Sequence, residues 1–175
     1  PLLLPGYPAG PRSVRLVGAG AASAPGAVEQ GETLPLASNG IATLDVATVE
    51  AGGFGALDLF ADDAIVLDGA VRLSLPRRIS LDAPRIGAGD TPRVSRLSAA
   101  YVAIGSSLDN TPRGTSGTGA GTLAIKADLI DLIGAFSTVG FGELQFVSDG
   151  DLRLRGVAAG TSTLRGRLDA QAELR

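Results

Sequence analysis

Histidine, cysteine, methionine and tryptophan are all missing from this chain of 175 residues, and each absence removes a class of chemistry. Without Cys there is no thiol nucleophile and no thiolate ligand for zinc. Nor is there a disulfide framework from which to read a redox compartment. Without His no Ser-His-Asp triad can be assembled within the chain. Lys126 is the single lysine among 15 basic residues, which are scattered between acidic ones in a chain of net charge −3. Nucleic acid calls for a basic stripe, so no nucleic-acid partner is expected. No apolar run approaches the ~20 residues of a membrane-spanning helix. The start, Pro1-Leu-Leu-Leu-Pro5, lacks the basic region and apolar core of a signal peptide. Read this way, the chain is expected to be an internal piece of something longer.

What is present is a motif that returns about every twenty residues: a short apolar-polar alternation, a break, a second alternation, then Gly. It reads Leu57-Asp-Leu-Phe-Ala61 with Ile65-Val-Leu67-Asp-Gly69, then Ile79-Ser-Leu-Asp-Ala83 with Ile86-Gly87. It returns as Leu97-Ser-Ala99 with Val102-Ala-Ile104-Gly105, and as Leu123-Ala-Ile-Lys-Ala127 with Ile130-Asp-Leu132-Ile-Gly134. The last full copy is Leu144-Gln-Phe146 with Leu152-Arg-Leu154-Arg-Gly156. Alternation of period two marks strands with one buried face, and a fixed longer period marks a stacked repeat. The fold class expected is all-β, a right-handed parallel β-helix (β-solenoid) with coils of about 20 residues. Taking residues 57, 79, 97, 123 and 144 as equivalent, the expected core holds Leu57, Leu59, Ile79, Leu81, Leu123, Ile125, Leu152 and Leu154. Phe54, Phe60, Phe136, Phe141 and Phe146 read as core or turn-packing residues.

The chain divides by texture. Residues 1–40 carry six of the 10 prolines and a run of small residues, and Pro withholds a ladder donor. They read as an irregular lead-in containing one short strand candidate, Ser13 to Val17. Residues 41–175 read as the β-helix, beginning with a strand candidate over Thr43 to Val49. Residues 106–121, rich in Ser, Thr and Gly, read as a loop protruding from its side. With 25 Gly and 10 Pro, corners are abundant, and Gly or Pro interrupts nearly every window long enough for an amphipathic helix.

Several of these strings resemble a shaft region of the filamentous haemagglutinin family, the large exoproteins that Gram-negative bacteria export by two-partner secretion. The resemblance runs over residues 52–156. It rests on Gly52-Gly-Phe-Gly-Ala-Leu-Asp-Leu59, Ile79-Ser-Leu-Asp-Ala-Pro84, Leu97-Ser-Ala-Ala-Tyr-Val-Ala-Ile-Gly105, the segment 136–142, and Ser148-Asp-Gly-Asp-Leu-Arg-Leu154. It implies a secreted, cell-surface location, an outer-membrane transporter as partner during export, and a role in adhesion or contact-dependent competition. The family's N-terminal secretion domain and its C-terminal toxin domains have no counterpart in these residues.

No residue is singled out as catalytic, cofactor-binding or metal-binding. Parallel β-helices include polysaccharide-cleaving enzymes, whose chemistry needs clustered carboxylates. The candidates for that role are Asp58, Asp68 and Asp82, the neighbours Asp128 and Asp131 or Asp149 and Asp151, and Asp62-Asp63; as turn residues they need no site. The expected function is a structural shaft segment of a secreted adhesin-like exoprotein, not an enzyme and without cofactors. The alternatives are a carbohydrate-binding or carbohydrate-cleaving β-helix and the shaft of a toxin-delivery protein. Expected partners are a host-cell, bacterial or glycan surface, and other copies end to end.

Overall fold

The computed structural model describes residues 12–19, 21, 40–89, 93–107, 116–159, 162–164, 167–171 and 173–175. They form a parallel β-helix of about five turns with strands about 24 residues apart. In chain order the elements are β1 (Ser13–Val17), β2 (Ile41–Asp45), α1 (Val46–Ala51), β3 (Ala56–Phe60), β4 (Ala64–Asp68), β5 (Arg72–Ser74), β6 (Arg78–Asp82) and β7 (Arg85–Ala88). Three long strands follow, β8 (Val94–Gly105), β9 (Gly117–Ile133) and β10 (Ala135–Arg155), and then β11 (Val157–Ala159), β12 (Ser162–Leu164), β13 (Arg167–Asp169) and β14 (Glu173–Leu174).

Three faces surround one apolar column. The first stacks β2, β1, β4, β7, the start of β10 and β13. The second stacks β5 on the first half of β8, the middle of β9, the middle of β10, and β14. The third stacks β3, β6 and the last parts of β8, β9 and β10. Parallel ladders place like positions one above another, so inward residues form columns. On the third face these are Leu57, Ile79, Val102, Ile130 and Leu152, and on the second Leu73, Leu97, Ile125 and Phe146. Steps on the third face are 22, 23, 28 and 22 residues, a coil slightly longer than the expected one of about 20.

The columns correct the alignment read from sequence. Leu97 stacks on Leu73 of the second face, whereas Leu57 and Ile79 belong to the third. Alternation reveals which side of a strand is buried but not which side of the coil the strand occupies, so the sequence reading merges two faces. Ile79, Leu81, Leu123 and Ile125 are buried as expected, and Leu57 and Leu59 are partly buried against the core. Leu152 and Leu154 are instead 42% and 62% exposed. They point along the apolar column, but among the described residues no strand stacks beyond them on this face. Phe54 and Phe60 are also exposed, while Phe136 and Phe141 are buried and Phe146 packs against the core.

At the opposite end α1 covers part of the column. Asp45 caps α1 by accepting from the Ala47 N–H at 2.9 Å, which ends β2 and turns Val46 to Val49 into helix where the sequence reading extends the strand. Val46 and Val49, three apart on one helix side, lie 4% exposed over the core. Glu50 accepts from the backbone N–H of Ser74 at 3.1 Å, satisfying a donor on the otherwise open edge of β5. β1 lies between β2 and β4, so this strand of the lead-in is an interior member of the sheet.

On the first face β7 pairs directly with β10. The described parts of 106–121 do not protrude from the coil. Ser106 is buried and donates its N–H to Ile133 O at 2.8 Å, and Ser107 donates N–H and Oγ–H to Asp82. Gly117 to Gly121 open β9, and residues 108–115 lie outside the described residues. Deleting 106–121 is expected to lower stability by about 3 kcal/mol, since three hydrogen bonds are lost and each contributes on the order of 1 kcal/mol. Deleting 108–115 alone should change it by less than about 1 kcal/mol. Chemical denaturation of both variants checks the difference.

Candidate functional site

The outer side of the third face carries the richest chemistry. Because inward and outward positions alternate, β3 presents Asp58 and Phe60, β6 presents Arg78, Ser80 and Asp82, and β8 presents Tyr101 and Ala103. Small side chains in the centre, with larger ones around them, leave a shallow groove of about 350 Å³ lined by these residues together with Leu59 and Ile133. Phe60 is 53% exposed and offers its ring to solvent.

Most polar groups of the groove already have partners. Asp58 forms an ion pair with Arg78, and Asp82 accepts from Ser107. Beside the groove, Asp131 stands outward between Ala103 and Arg153 yet is fully buried. It accepts from Tyr101 Oη–H at 2.9 Å, from Arg153 through Nε at 2.7 Å and Nη2 at 2.9 Å, and from Arg155 Nη1 at 3.0 Å. The hydrogen bonds from Arg153 outweigh the opposing effect of burial, and those from Arg155 and Tyr101 add to them, so its carboxyl titrates at about 2. Burial first, then the bond to Asp131 and its charge, raise the Tyr101 phenol. A carboxyl held that low stays ionised and holds cations in place, whereas a general acid needs a raised value.

The other candidate carboxylates are dispersed. Asp68 is buried against Arg15, and Asp63 accepts from Arg85 at 2.8 Å and from Ser13 Oγ at 3.2 Å. Asp128, Asp149 and Asp151 are exposed. The neighbours Asp128 and Asp131 do not act together, because Asp131 turns to residues on the adjacent coils. Among the described residues no group of three or more carboxylates is placed to hold a metal ion.

The Asp131 network escapes a reading by local spacing because its members lie one coil apart: Tyr101 by 30 residues, Arg153 by 22 and Arg155 by 24. Opposite charges separated by about one coil are the signal that finds it. Asp58 with Arg78 at 20, and Asp63 with Arg85 at 22, obey the same rule.

Asp131→Asn is expected to remove about 1–2 kcal/mol at pH 7, allowing for solvent screening of the half-exposed guanidiniums. The folded pKa, about 2, lies below the unfolded one. This contribution is therefore complete above about pH 4 and vanishes as pH falls towards about 2. The stability difference between parent and variant should shrink over that window. A difference that stays constant from about pH 7 to about pH 2 contradicts the assignment.

Comparison with protein-family models, with curated proteins and with solved structures finds no match to this chain.

Proposed function

We propose that this chain is a structural shaft segment of a large secreted, cell-surface exoprotein, built to hold other elements away from a cell. The observation that carries this reading is the continuous apolar column with in-register ladders on three faces, tied from coil to coil by outer ion pairs at Asp58, Asp63, Asp68 and Asp131. Such a stack grows by adding coils and needs no separate core for each. The resemblance over residues 52–156 points to export through an outer-membrane transporter, and the absence of Cys in the sequence suits passage through an oxidising compartment.

The test is export. The chain is placed between a two-partner secretion domain and a terminal epitope, in a Gram-negative host carrying the matching transporter. The epitope should reach the cell surface or the medium, attached to a protease-resistant core. Retention in the periplasm, while the secretion domain alone passes, contradicts the proposal.

The groove on the third face supports a second reading, in which the shaft itself binds glycan. Phe60 and Tyr101 flank polar groups, as stacking on sugar rings requires. A glycan array should then yield ligands whose affinity falls at least tenfold in Phe60→Ala, and no hit on the array removes this reading.

A further inference from the structure

On the outer sides of the first and third faces guanidiniums meet carboxylates from neighbouring coils: Arg15 meets Asp68, Arg85 meets Asp63, Arg78 meets Asp58, and Arg153 and Arg155 meet Asp131. The second face breaks this rule. Arg72 of β5 and Arg96 of β8 are register partners, so two outward guanidiniums rise from Cα atoms about 4.8 Å apart. Both are exposed, and neither side chain has an ion-pair or hydrogen-bond partner among the described residues.

The charged groups that border this pair are engaged elsewhere or add to it. Glu50 stands at the outer edge of β5 and accepts from the Ser74 N–H at 3.1 Å. Glu143 is on β10, two strands beyond β8, and lies 3.2 Å from Arg175 and 2.9 Å from Gln145. Asp128 and Asp149 share a corner depression with Lys126. Arg93, just ahead of β8, is a further exposed cation. Like charges directly opposite one another destabilise a sheet, and a local conflict with no compensation inside the chain marks a functional position. About 6.6 Å along the two strands, Ser74 and Ser98 are register partners as well. They set two hydroxyls beside the two guanidiniums.

We propose that Arg72 and Arg96, with Ser74 and Ser98, form a binding site for the dianionic phosphate of a phosphomonoester. Two guanidinium charges favour a dianion over the single charge of a carboxylate or a sulfate ester, and their planar forks match phosphate oxygens. The serine hydroxyls donate to the oxygens that the guanidiniums leave free. A bound phosphate also removes the repulsion between the arginines, which is the compensation the chain itself lacks. None of the four side chains is aromatic, so the site has no platform for the bases of a single-stranded nucleic acid.

The probe is glucose 6-phosphate, titrated into the intact chain at constant ionic strength and followed by the amide resonances of Arg72, Ser74, Arg96 and Ser98. Saturable shifts are expected. A phosphomonoester loses its second charge as pH falls through about 6, so affinity should be at least fivefold weaker at about pH 5 than at about pH 7.5. Inorganic sulfate, a dianion at both values, should bind alike at both. Arg72→Gln/Arg96→Gln should abolish the shifts without lowering the denaturant midpoint, because it removes exposed, unpaired like charges. The sugar phosphate should raise the midpoint of the parent and not of this variant. Ser74→Ala/Ser98→Ala should weaken binding at least threefold. Vesicles of phosphatidylcholine with phosphatidic acid distinguish the sources: co-sedimentation with them, and not with phosphatidylcholine alone, assigns a lipid headgroup, whereas binding of the sugar phosphate without co-sedimentation assigns a soluble or glycan-borne ester. Shifts that chloride reproduces, that persist in the Gln variant or that are equal at both pH values overturn the proposal. So does a single-stranded oligonucleotide that binds these residues more tightly than the sugar phosphate, since its internal phosphates carry one charge each.

Discussion

Ile125→Asp should leave no cooperatively folded protein. Ile125 is 1% exposed and stands between Leu97 and Phe146 in the column of the second face. Replacement removes an apolar side chain worth roughly 1.5–3 kcal/mol of burial and places a carboxyl in a dry column without a partner, at a further cost of several kcal/mol. Domains are stable by only about 5–15 kcal/mol, so most or all of the margin is consumed. The neighbour Lys126 points outward and is exposed, and Lys126→Asp should shift stability by no more than about 0.5 kcal/mol. Circular dichroism during thermal melting reads both. If the two variants melt alike, the inward and outward assignment of β9 is wrong.

Gly134→Ala should cost about 3 kcal/mol, a large effect for one methyl group. Gly134 turns the corner between β9 and β10 with φ +62°, and a Cβ there would lie 1.9 Å from Ser106 O on the coil before it. Two costs combine: left-handed backbone in a residue with a side chain, about 1–2 kcal/mol, and displacement of a packed strand, about 1–3 kcal/mol. Gly53 separates them. It has φ +65°, but a methyl group there would meet nothing within 4 Å, so Gly53→Ala should cost only about 1 kcal/mol. Denaturant midpoints that fall equally in both variants would show that coil-to-coil contact at the Gly134 corner contributes nothing.

The fold is legible because the solenoid repeats a simple instruction: alternate, turn at Gly or Pro, and return to the same column. Strand periodicity near residues 57, 79 and 123 conveys this without knowledge of distant contacts. The phase of the repeat is not legible, since Leu97 and Ile79 have equally good alternation and differ only in which face they occupy. α1 is hidden for a related reason. Its six residues, Val-Ala-Thr-Val-Glu-Ala, include valines and a threonine that favour a strand locally. Only the Asp45 cap and the open end of the column, which buries Val46 and Val49, select the helix. Leu152 and Leu154 obey the inward pattern, but burial needs a neighbour on both sides, and pattern alone does not report which strand has another beyond it.

The candidate site is less legible than the fold. Phe60 alternates correctly to be outward on β3, yet aromatic residues in short strands suggest a core. Asp131 looks like a strand-end carboxylate until β8 and β10 are placed beside it. Its burial is produced by Tyr101 and two arginines from the adjacent coils. Charge pairing between coils also serves register, because a slip of one residue would drive Asp58 or Arg153 into the column.

Engineered disulfides test the stacking most directly, since the natural chain has no Cys and any bridge must join the introduced pair. Ser80 and Ala103 are register partners on the outer side of the third face, about 4.8 Å apart by the spacing of strands in a sheet and within disulfide reach. Ser80→Cys/Ala103→Cys should oxidise to an intramolecular bridge in the folded protein, whereas Ser80→Cys/Ser98→Cys should stay reduced because Ser98 stacks on Ser74 of the second face. A bridge in the second pair and none in the first would contradict the three-faced coil and restore the alignment in which Leu97 follows Ile79.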